Sequence, residues 1–314
     1  MYKDLSEEKK HISVLAKEVL QYLSPQKNDV IVDATLGLGG HSSLIIEEIG
    51  KKGRLIVFDQ DKENLEKAKE NLTNFLDQIT FFHTNFENLA QKLDEINVKE
   101  VDGALFDLGV ASTHFDQAER GFSFSKEGYL DMRMDRSNGI TVEEIINSFI
   151  ESNIADIIYE YGEERKSRVI AKAIVEARQL TPIKTTTQLA DIIEKVIRGK
   201  SRIHPATKTF QALRIYVNRE LEVLEKGLSQ AFDRLNKGGR LVVISFHSLE
   251  DRIVKKMFKK WAAKCVCGPD VWKCECGKVV EAEILTKRPI VPGRDEMNSN
   301  PRARSAKMRA LKKI

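Results

Sequence analysis

Three aspartates end short apolar runs in the first part of the chain: Asp33 in DVIVDATLGLGGH, Asp59 in GRLIVFDQD and Asp107 in VDGALFDLGV. Between the first two runs, Gly37, Gly39 and Gly40 lead into the helix-like stretch HSSLIIEEIG. Glycines at such a place let the backbone turn tightly and approach a ligand. An acid about 20 residues beyond the loop, at the end of the next strand, can accept hydrogen bonds from both hydroxyls of a ribose. A G-x-G-G alone is equally a simple turn. A lone Asp59 is equally a helix cap, although Asp61 is better placed for capping. Loop, spacing and acid together point to an adenosine-bearing cofactor.

The ligand narrows further. Ser42 occupies the third glycine position of the dinucleotide fingerprint, and no Walker lysine follows the glycines. Asp33 is a charge in what reads as a buried strand. It either orients the loop or meets a cationic amino acid group on the cofactor, and S-adenosylmethionine carries one. Asp107 belongs to the same picture, because ligands of open α/β sheets bind outside the carboxyl ends of the strands.

The elements that must position these residues alternate. DVIVD, GRLIVFD, QITFFH and VDGALFD read as strands, with helices between them and an amphipathic helix over His11 to Leu23 before them. Such alternation predicts a mostly parallel sheet covered on both faces. From about Phe115 the strands stop. Thr141 and Glu144 fit a capping box opening TVEEIINSFI, and ADIIYEYGEERKSRVIAKAIVEAR is helical. TFQALRIYVNRELEVLEKGLSQAFDRL reads as one long helix, GGRLVVISF as a strand and HSLEDRIVKKMFKKW as a helix. The expected organisation is an α/β domain over 1–114, a helical insertion for substrate recognition over 115–205, and the rest of the domain over 206–314.

The 314 residues are 41% hydrophobic and 31% charged, with a net charge of +4. That excess is too mild to imply nucleic acid by itself, but its placement is uneven. PRARSAKMRALKKI, from Pro301, carries six basic residues and no acidic one, and KKMFKKWAAK runs from Lys255 to Lys264. Such blocks contact phosphates or are solvated surface, and the terminal one is equally a frayed tail. No apolar run approaches the length that crosses a bilayer, and the polar N-terminus lacks a signal-peptide core. A cytoplasmic protein is expected. Cys265, Cys267, Cys274 and Cys276 form a C-x-C-x6-C-x-C array. That array suits a structural zinc ion or free thiols in a hairpin better than a disulfide framework.

VDATLGLGGH, DLGVAS, ERGFSFS, LDMRMD, YGEER, HPATKTFQALRI, VNREL, ISFHSLEDRIVK and NPRARSAKMR together resemble the bacterial small-subunit ribosomal RNA cytosine methyltransferase family, MraW or RsmH. The resemblance runs from about His11 to the C-terminus. It implies a class I S-adenosylmethionine-dependent methyltransferase fold, Rossmann-like, with an inserted helical domain. It implies methylation of the exocyclic amine of a decoding-centre cytidine in small ribosomal subunit RNA. It also implies cofactor contacts at Gly39, Gly40, His41, Asp59, Phe86 and Asp107. On the residues alone, Phe86 is equally a core phenylalanine. Where the family usually reads DLGVSSPQ this chain has DLGVASTH, so a contact made by glutamine in relatives falls to His114.

A sulfonium methyl is already activated, so transfer needs no metal. The amine nitrogen of cytosine is a poor nucleophile because its lone pair is delocalised into the ring. An acceptor for the amino hydrogens, Asp107 or the backbone about Leu108 and Gly109, can aim it, and the gain is one of positioning. The target base must be unstacked to reach such a pocket. RNA contacts are expected at Arg133, His204, Lys208, Ser245, His247 and Arg252. Arg133 equally pairs with Asp131 or Asp135, His204 equally forms a turn before Pro205, and His247 equally caps a helix. Two other function classes fit the same fold: a noncatalytic RNA-binding or ribosome-assembly protein, and a DNA amine methyltransferase. The retained glycine loop and strand-end acids disfavour the first. The missing Asn/Asp-Pro-Pro motif disfavours the second.

Overall fold

A computed structural model describes residues 13–110, 117–197, 203–267, 271, 273 and 275–314. The chain divides into two compact units, Met1–Gly109 with Lys226–Ile314, and Val110–Glu225.

In the first unit, runs of Val, Ile, Leu and Phe form parallel strands, the central ones largely buried on both faces as a covered sheet requires and the edge strand Ile79–His83 only partly so. These are β1 (Val30–Asp33), β2 (Arg54–Asp59), β3 (Ile79–His83), β4 (Val101–Asp107) and β5 (Leu235–Ser245). The helices beside them are α1 (Ala16–Leu23), α2 (Gly40–Ile49), α3 (Lys62–Asn71) and α4 (Leu89–Glu95). The sheet order is β3-β2-β1-β4-β5-β7-β6, where β6 is Ala282–Ile284 and β7 is Lys307–Lys313. β1 to β5 pair in parallel, whereas β7 runs antiparallel between β5 and β6. This is the doubly wound α/β class expected from the alternation. The strand order reverses at β1, between β2 and β4, so a crevice opens outside the carboxyl ends there.

Helix starts follow local chemistry. Asp61 caps α3 by accepting a hydrogen bond from the Glu63 N–H at 2.8 Å. α1 begins at Ala16 rather than His11, because Leu15 has a left-handed backbone (φ 53°). His11 itself lies outside the described residues.

The basic terminus is where expectation and structure part. Residues 307–313 are neither frayed nor a free phosphate-binding arm: they form β7, with Met308, Arg309, Ala310 and Leu311 buried. Two of its charges, Arg309 and Lys313, have internal partners. The Arg309 guanidinium donates to Asp251 Oδ1 at 2.6 Å and Oδ2 at 3.1 Å, both side chains nearly covered. Asp251 lies on the helix Ser248–Trp261, α11. Lys313 Nζ donates to the carbonyls of Phe232 and Asp233, in the last turn of a helix ending at Arg234. A cation there complements the helix dipole. Asp251→Ala would leave a buried guanidinium unpaired, which costs about 3–5 kcal/mol. Breaking the exposed Arg168–Asp156 pair costs about 0–1 kcal/mol. Urea unfolding of D251A and D156A should therefore differ severalfold in lost stability; equal losses would refute a structural role for this arginine.

The second unit is helical: α5 (Val142–Ser148), α6 (Glu151–Gly162), α7 (Ser167–Leu180), α8 (Thr186–Val196) and α9 (Thr207–Val217), with the start of α10 (Glu220–Arg234). Its core is separate, built of Ile145, Ile146, Ile154, Ile158, Ile170, Ile174, Leu189, Ile193, Phe210 and Leu213 among others. The capping box at α5 is present, with Thr141 Oγ1 accepting from the Glu144 N–H and Glu144 accepting from the Thr141 N–H. Residues 206–225 had been assigned to the resumed α/β domain. They pack in this unit because Phe210, Ala212 and Leu213 join its core.

The single long helix expected after Thr207 is two. Arg219 has φ 51°, which no helix interior tolerates. Asn218 fixes the break: its Oδ1 accepts from the Met134 N–H at 2.8 Å, and its Nδ2 donates to the carbonyls of Met132 and Arg214.

Candidate active site

The parallel register brings the three strand-end aspartates to one rim. Asp33 ends β1 beside Val57 and Leu105, Asp59 ends β2 beside His83, and Asp107 ends β4 beside Ile244.

The glycine loop is held by two of them. Gly37 and Gly39 have φ of 53° and 82°, the left-handed region in which only glycine is unstrained. Asp59 Oδ2 accepts the Gly37 N–H at 2.9 Å, and its Oδ1 accepts the Asp61 N–H at 2.8 Å. Burial is the largest influence on this carboxyl and pushes its pKa up to about 7, against the pull of those N–H donors. Asp33 is buried, accepts the Thr35 N–H at 3.1 Å and accepts Ser42 Oγ–H at 2.7 Å. Burial raises its pKa as well, against the Ser42 hydrogen bond. Of its two expected uses, orienting the loop is the one these contacts make. Gly40 opens α2, so the first N–H groups of that helix face the rim.

Asp107 is arranged differently. Its backbone N–H donates to Thr35 Oγ1 at 2.6 Å, which ties the end of β4 to the loop after β1. Its Oδ2 lies 3.5 Å from Nε2 of the buried His41. Burial alone would lower the His41 pKa. The hydrogen bond and charge of Asp107, with Asp33 and Glu296 adding to them, outweigh it and raise the pKa. Among the described residues, Asp107 Oδ1 and both ring nitrogens of His41 are buried without a good hydrogen-bond partner. Each unpaired polar atom of this kind costs about 1–3 kcal/mol. Water or a ligand that brings polar groups to the rim would satisfy all three. Beyond Asp107, Gly109 has φ 111°, and a Cβ there would meet the Phe246 ring at 3.2 Å, so an aromatic face borders the rim.

Phe86 is half-buried. Its ring packs edge-on against Phe106 at 5.2 Å between centroids and lies close to Gly227, where a Cβ would meet it at 2.4 Å. His114 lies outside the described residues.

Several expected RNA contacts are engaged within the protein. Arg133 makes a two-pronged pair with Asp131, its Nε at 2.6 Å and a terminal nitrogen at 3.1 Å, and its other terminal nitrogen reaches the carbonyls of Asn138 and Gly139. It staples a loop. His204 accepts the Ala206 N–H through Nδ1 and stacks on Phe124 at 4.5 Å. Lys208 donates to the Glu163 carbonyl and lies 3.7 Å from Glu164. Ser245 is buried, and its hydroxyl donates to the Lys307 carbonyl because β7 covers that edge. His247 caps α11: its Nδ1 accepts the Glu250 N–H, while Glu250 accepts from the N–H groups of Phe246 and His247. Arg252 is exposed on α11, as are Lys255, Lys256, Lys259 and Lys260.

Thr35, Ser42, Phe246 and Glu250 escaped sequence reasoning. Thr35 and Ser42 lie within the glycine segment, and their hydroxyl spacing from Asp33 is the signal that could have found them. Phe246 and Glu250 owe their roles to a strand end and a helix start that meet in space.

Of the four cysteines, Cys265, Cys267 and Cys276 come together, with their sulfurs within 4.8 Å of one another. Cys274 lies outside the described residues. Among the described residues no helix is long and apolar enough to cross a membrane.

Comparison with known proteins agrees with this geometry. A "Ribosomal RNA small subunit methyltransferase H" of Pelobacter propionicus is 49% identical over 308 residues, covering 97% of this chain and 98% of the relative. One of Halothermothrix orenii is 47% identical over 307 residues, covering 97% and 98%. One of Clostridioides difficile is 45% identical over 307 residues, covering 97% and 99%. The model of the MraW methylase family matches residues 8–314, and with nearly the whole chain accounted for, glycine loop and strand-end acids included, the protein belongs to the MraW methylase family.

Proposed function

We propose that this protein transfers a methyl group from S-adenosylmethionine to the exocyclic amine of a decoding-centre cytidine in small-subunit ribosomal RNA, and that it works in the cytoplasm. Full-length identity of 49% to a relative named for small-subunit ribosomal RNA methylation carries the reading. The unpaired Asp107 and His41 atoms at the strand-end rim support it.

When bound, S-adenosylmethionine supplies a methyl group already activated by the sulfonium. The chain does the rest. Gly37, Gly39 and Gly40 form the loop that admits the cofactor, and Asp59 accepts the ribose hydroxyls with the lone pairs its loop contacts leave free. Asp33 holds the loop through Thr35 and Ser42, and Phe86 borders the adenine side. His114 is the remaining cofactor contact in this reading. Asp107 Oδ1 accepts an amino hydrogen of the cytosine, turning the nitrogen lone pair toward the methyl carbon. Thr35 fixes where Asp107 sits, and His41 faces its other oxygen.

For RNA, the outer face of α11 suits phosphates. Arg252, Lys255, Lys256, Lys259 and Lys260 are exposed there, while Arg133, Ser245 and His247 have internal work. Each phosphate neutralised on a single strand adds about 0.7 to the slope of log affinity against log salt. Replacing the four lysines by alanine should flatten that slope and weaken RNA binding at least about tenfold, with cofactor affinity unchanged. An unaltered slope would remove α11 from the RNA interface.

The function is tested with methyl-labelled cofactor and three acceptors: small subunits lacking the modification, naked small-subunit RNA, and duplex DNA. Label should enter one or both ribosomal acceptors and not the DNA. Label in DNA alone, or in none, would defeat the proposal.

A further inference from the structure

The segment joining α11 to β6 has no use in methyl transfer, yet it is built in an unusual way. Among its described residues there is no helix or strand between Trp261 and Ala282. Among its described residues, Val266, Val271 and Val279 are 57%, 51% and 73% exposed. An excursion of this length without secondary structure or core is uncommon inside a compact domain. Both ends are nonetheless pinned. The Glu281 N–H donates to the Trp261 carbonyl at 3.0 Å, and the Ile314 N–H donates to the Glu281 carbonyl at 3.0 Å.

We infer that Cys265, Cys267 and Cys276 are thiolate ligands of a structural zinc ion that closes this loop. The sulfurs already stand at metal-ligand spacing. Two sulfurs held tetrahedrally, each about 2.3 Å from one zinc ion, lie about 3.8 Å apart. Cys276 Sγ and Cys265 Sγ are 3.8 Å apart, and all three sulfurs lie within 4.8 Å of one another. A disulfide would bring a pair to about 2.05 Å. The backbone supports charge on sulfur: the Cys267 N–H points at Cys265 Sγ at 3.2 Å, the kind of contact that stabilises a thiolate. Gly277 follows Cys276 with φ 61° and open space where a Cβ would be, so the chain turns back directly after the ligand. Lys264, Lys273 and Lys278 flank the cluster in sequence. Thiolate ligands select zinc and other soft metals over magnesium or calcium. The chain's one further cysteine is Cys274. It lies outside the described residues.

The full-length protein, purified under reducing conditions without chelator, should contain about one zinc per chain. Cobalt in place of zinc should give the strong visible absorption of tetrahedral cobalt thiolate. C265S/C276S should lose the metal and the cobalt spectrum, and trypsin should then cut at Lys264, Lys273 or Lys278 much faster than in the parent. Circular dichroism should show the two proteins equally folded, and the variant should keep the parent's transfer rate, because these cysteines lie outside the proposed catalytic rim. Absence of zinc in the parent, iron in its place, or a Cys265–Cys276 disulfide in the freshly purified protein would overturn the inference.

Discussion

Asp107→Ala is expected to reduce single-turnover methyl transfer by at least about a thousandfold, and Asp107→Asn by about a hundredfold. The carboxylate is placed for one task. Its backbone is tied to Thr35, one oxygen faces His41, and the other is buried without a partner among the described residues. An alanine removes the acceptor for the amino hydrogens, so the nitrogen lone pair stays delocalised into the ring. An asparagine keeps the shape and one acceptor oxygen but loses the charge and presents an N–H₂ group. It can still settle, because the site is partly open to solvent at Asp107. The two variants therefore separate charge from volume. Rapid-quench transfer from labelled cofactor, with circular dichroism to check folding, measures both. An asparagine variant within threefold of the parent would mean that Asp107 orients nothing in the reaction.

The second large effect is a pH dependence of cofactor affinity set by Asp59. Burial pushes this carboxyl to about 7 in the free protein, so near neutrality a large fraction is protonated. Ribose hydroxyls donate hydrogen bonds and favour the carboxylate, so binding must release a proton. Affinity should then rise with pH, by up to about tenfold per unit below about pH 7, and level off above about pH 8. The sign for stability is opposite. A carboxyl whose folded-state pKa lies above its unfolded value stabilises the fold at low pH, and that contribution disappears as pH rises through the folded-state value. The cofactor-induced rise in melting temperature should therefore grow between about pH 6 and pH 8. The His41 pKa is also raised, against burial, by the hydrogen bond and charge of Asp107, so Asp59→Asn is the control. It should lower affinity by about ten- to a hundredfold, through loss of charged hydrogen bonds worth about 1.5–3 kcal/mol each, and flatten the profile. Calorimetry in buffers of different ionisation enthalpy counts the released proton. A parent affinity constant from pH 6 to 8 would contradict the role given to Asp59.

What could be read in the sequence was local. The strand runs, the glycine loop, the Asp61 cap and the Thr141–Glu144 box each depend on residues a few positions apart, and each is found where its spacing put it. The gathering of Asp33, Asp59 and Asp107 was legible too, because parallel strands with helical crossovers must align their carboxyl ends. What failed was decided by partners far along the chain. The basic terminus reads as solvent-facing until Asp251 neutralises Arg309 and the α10 carbonyls take up Lys313. The long helix after Thr207 breaks because Asn218 answers the backbone of Met132 and Met134. Ser245, an expected RNA contact, is turned inward by β7, whereas Arg133 makes the local Asp131 pair that its neighbours in sequence also offered. Periodicity reports which face of an element is apolar, not which polar atoms will find one another.

The central claim is that the β1–β2–β4 rim aims an exocyclic amine, through Asp107, at an activated methyl. The most direct measurement is the identity of the product nucleoside. Small-subunit RNA methylated by the purified protein is digested to nucleosides, and the labelled one is fragmented by mass spectrometry. The account predicts a cytidine with the new methyl on its exocyclic nitrogen. A methyl on a ring carbon or a ribose oxygen would contradict it, since neither acceptor has amino hydrogens for Asp107 to hold.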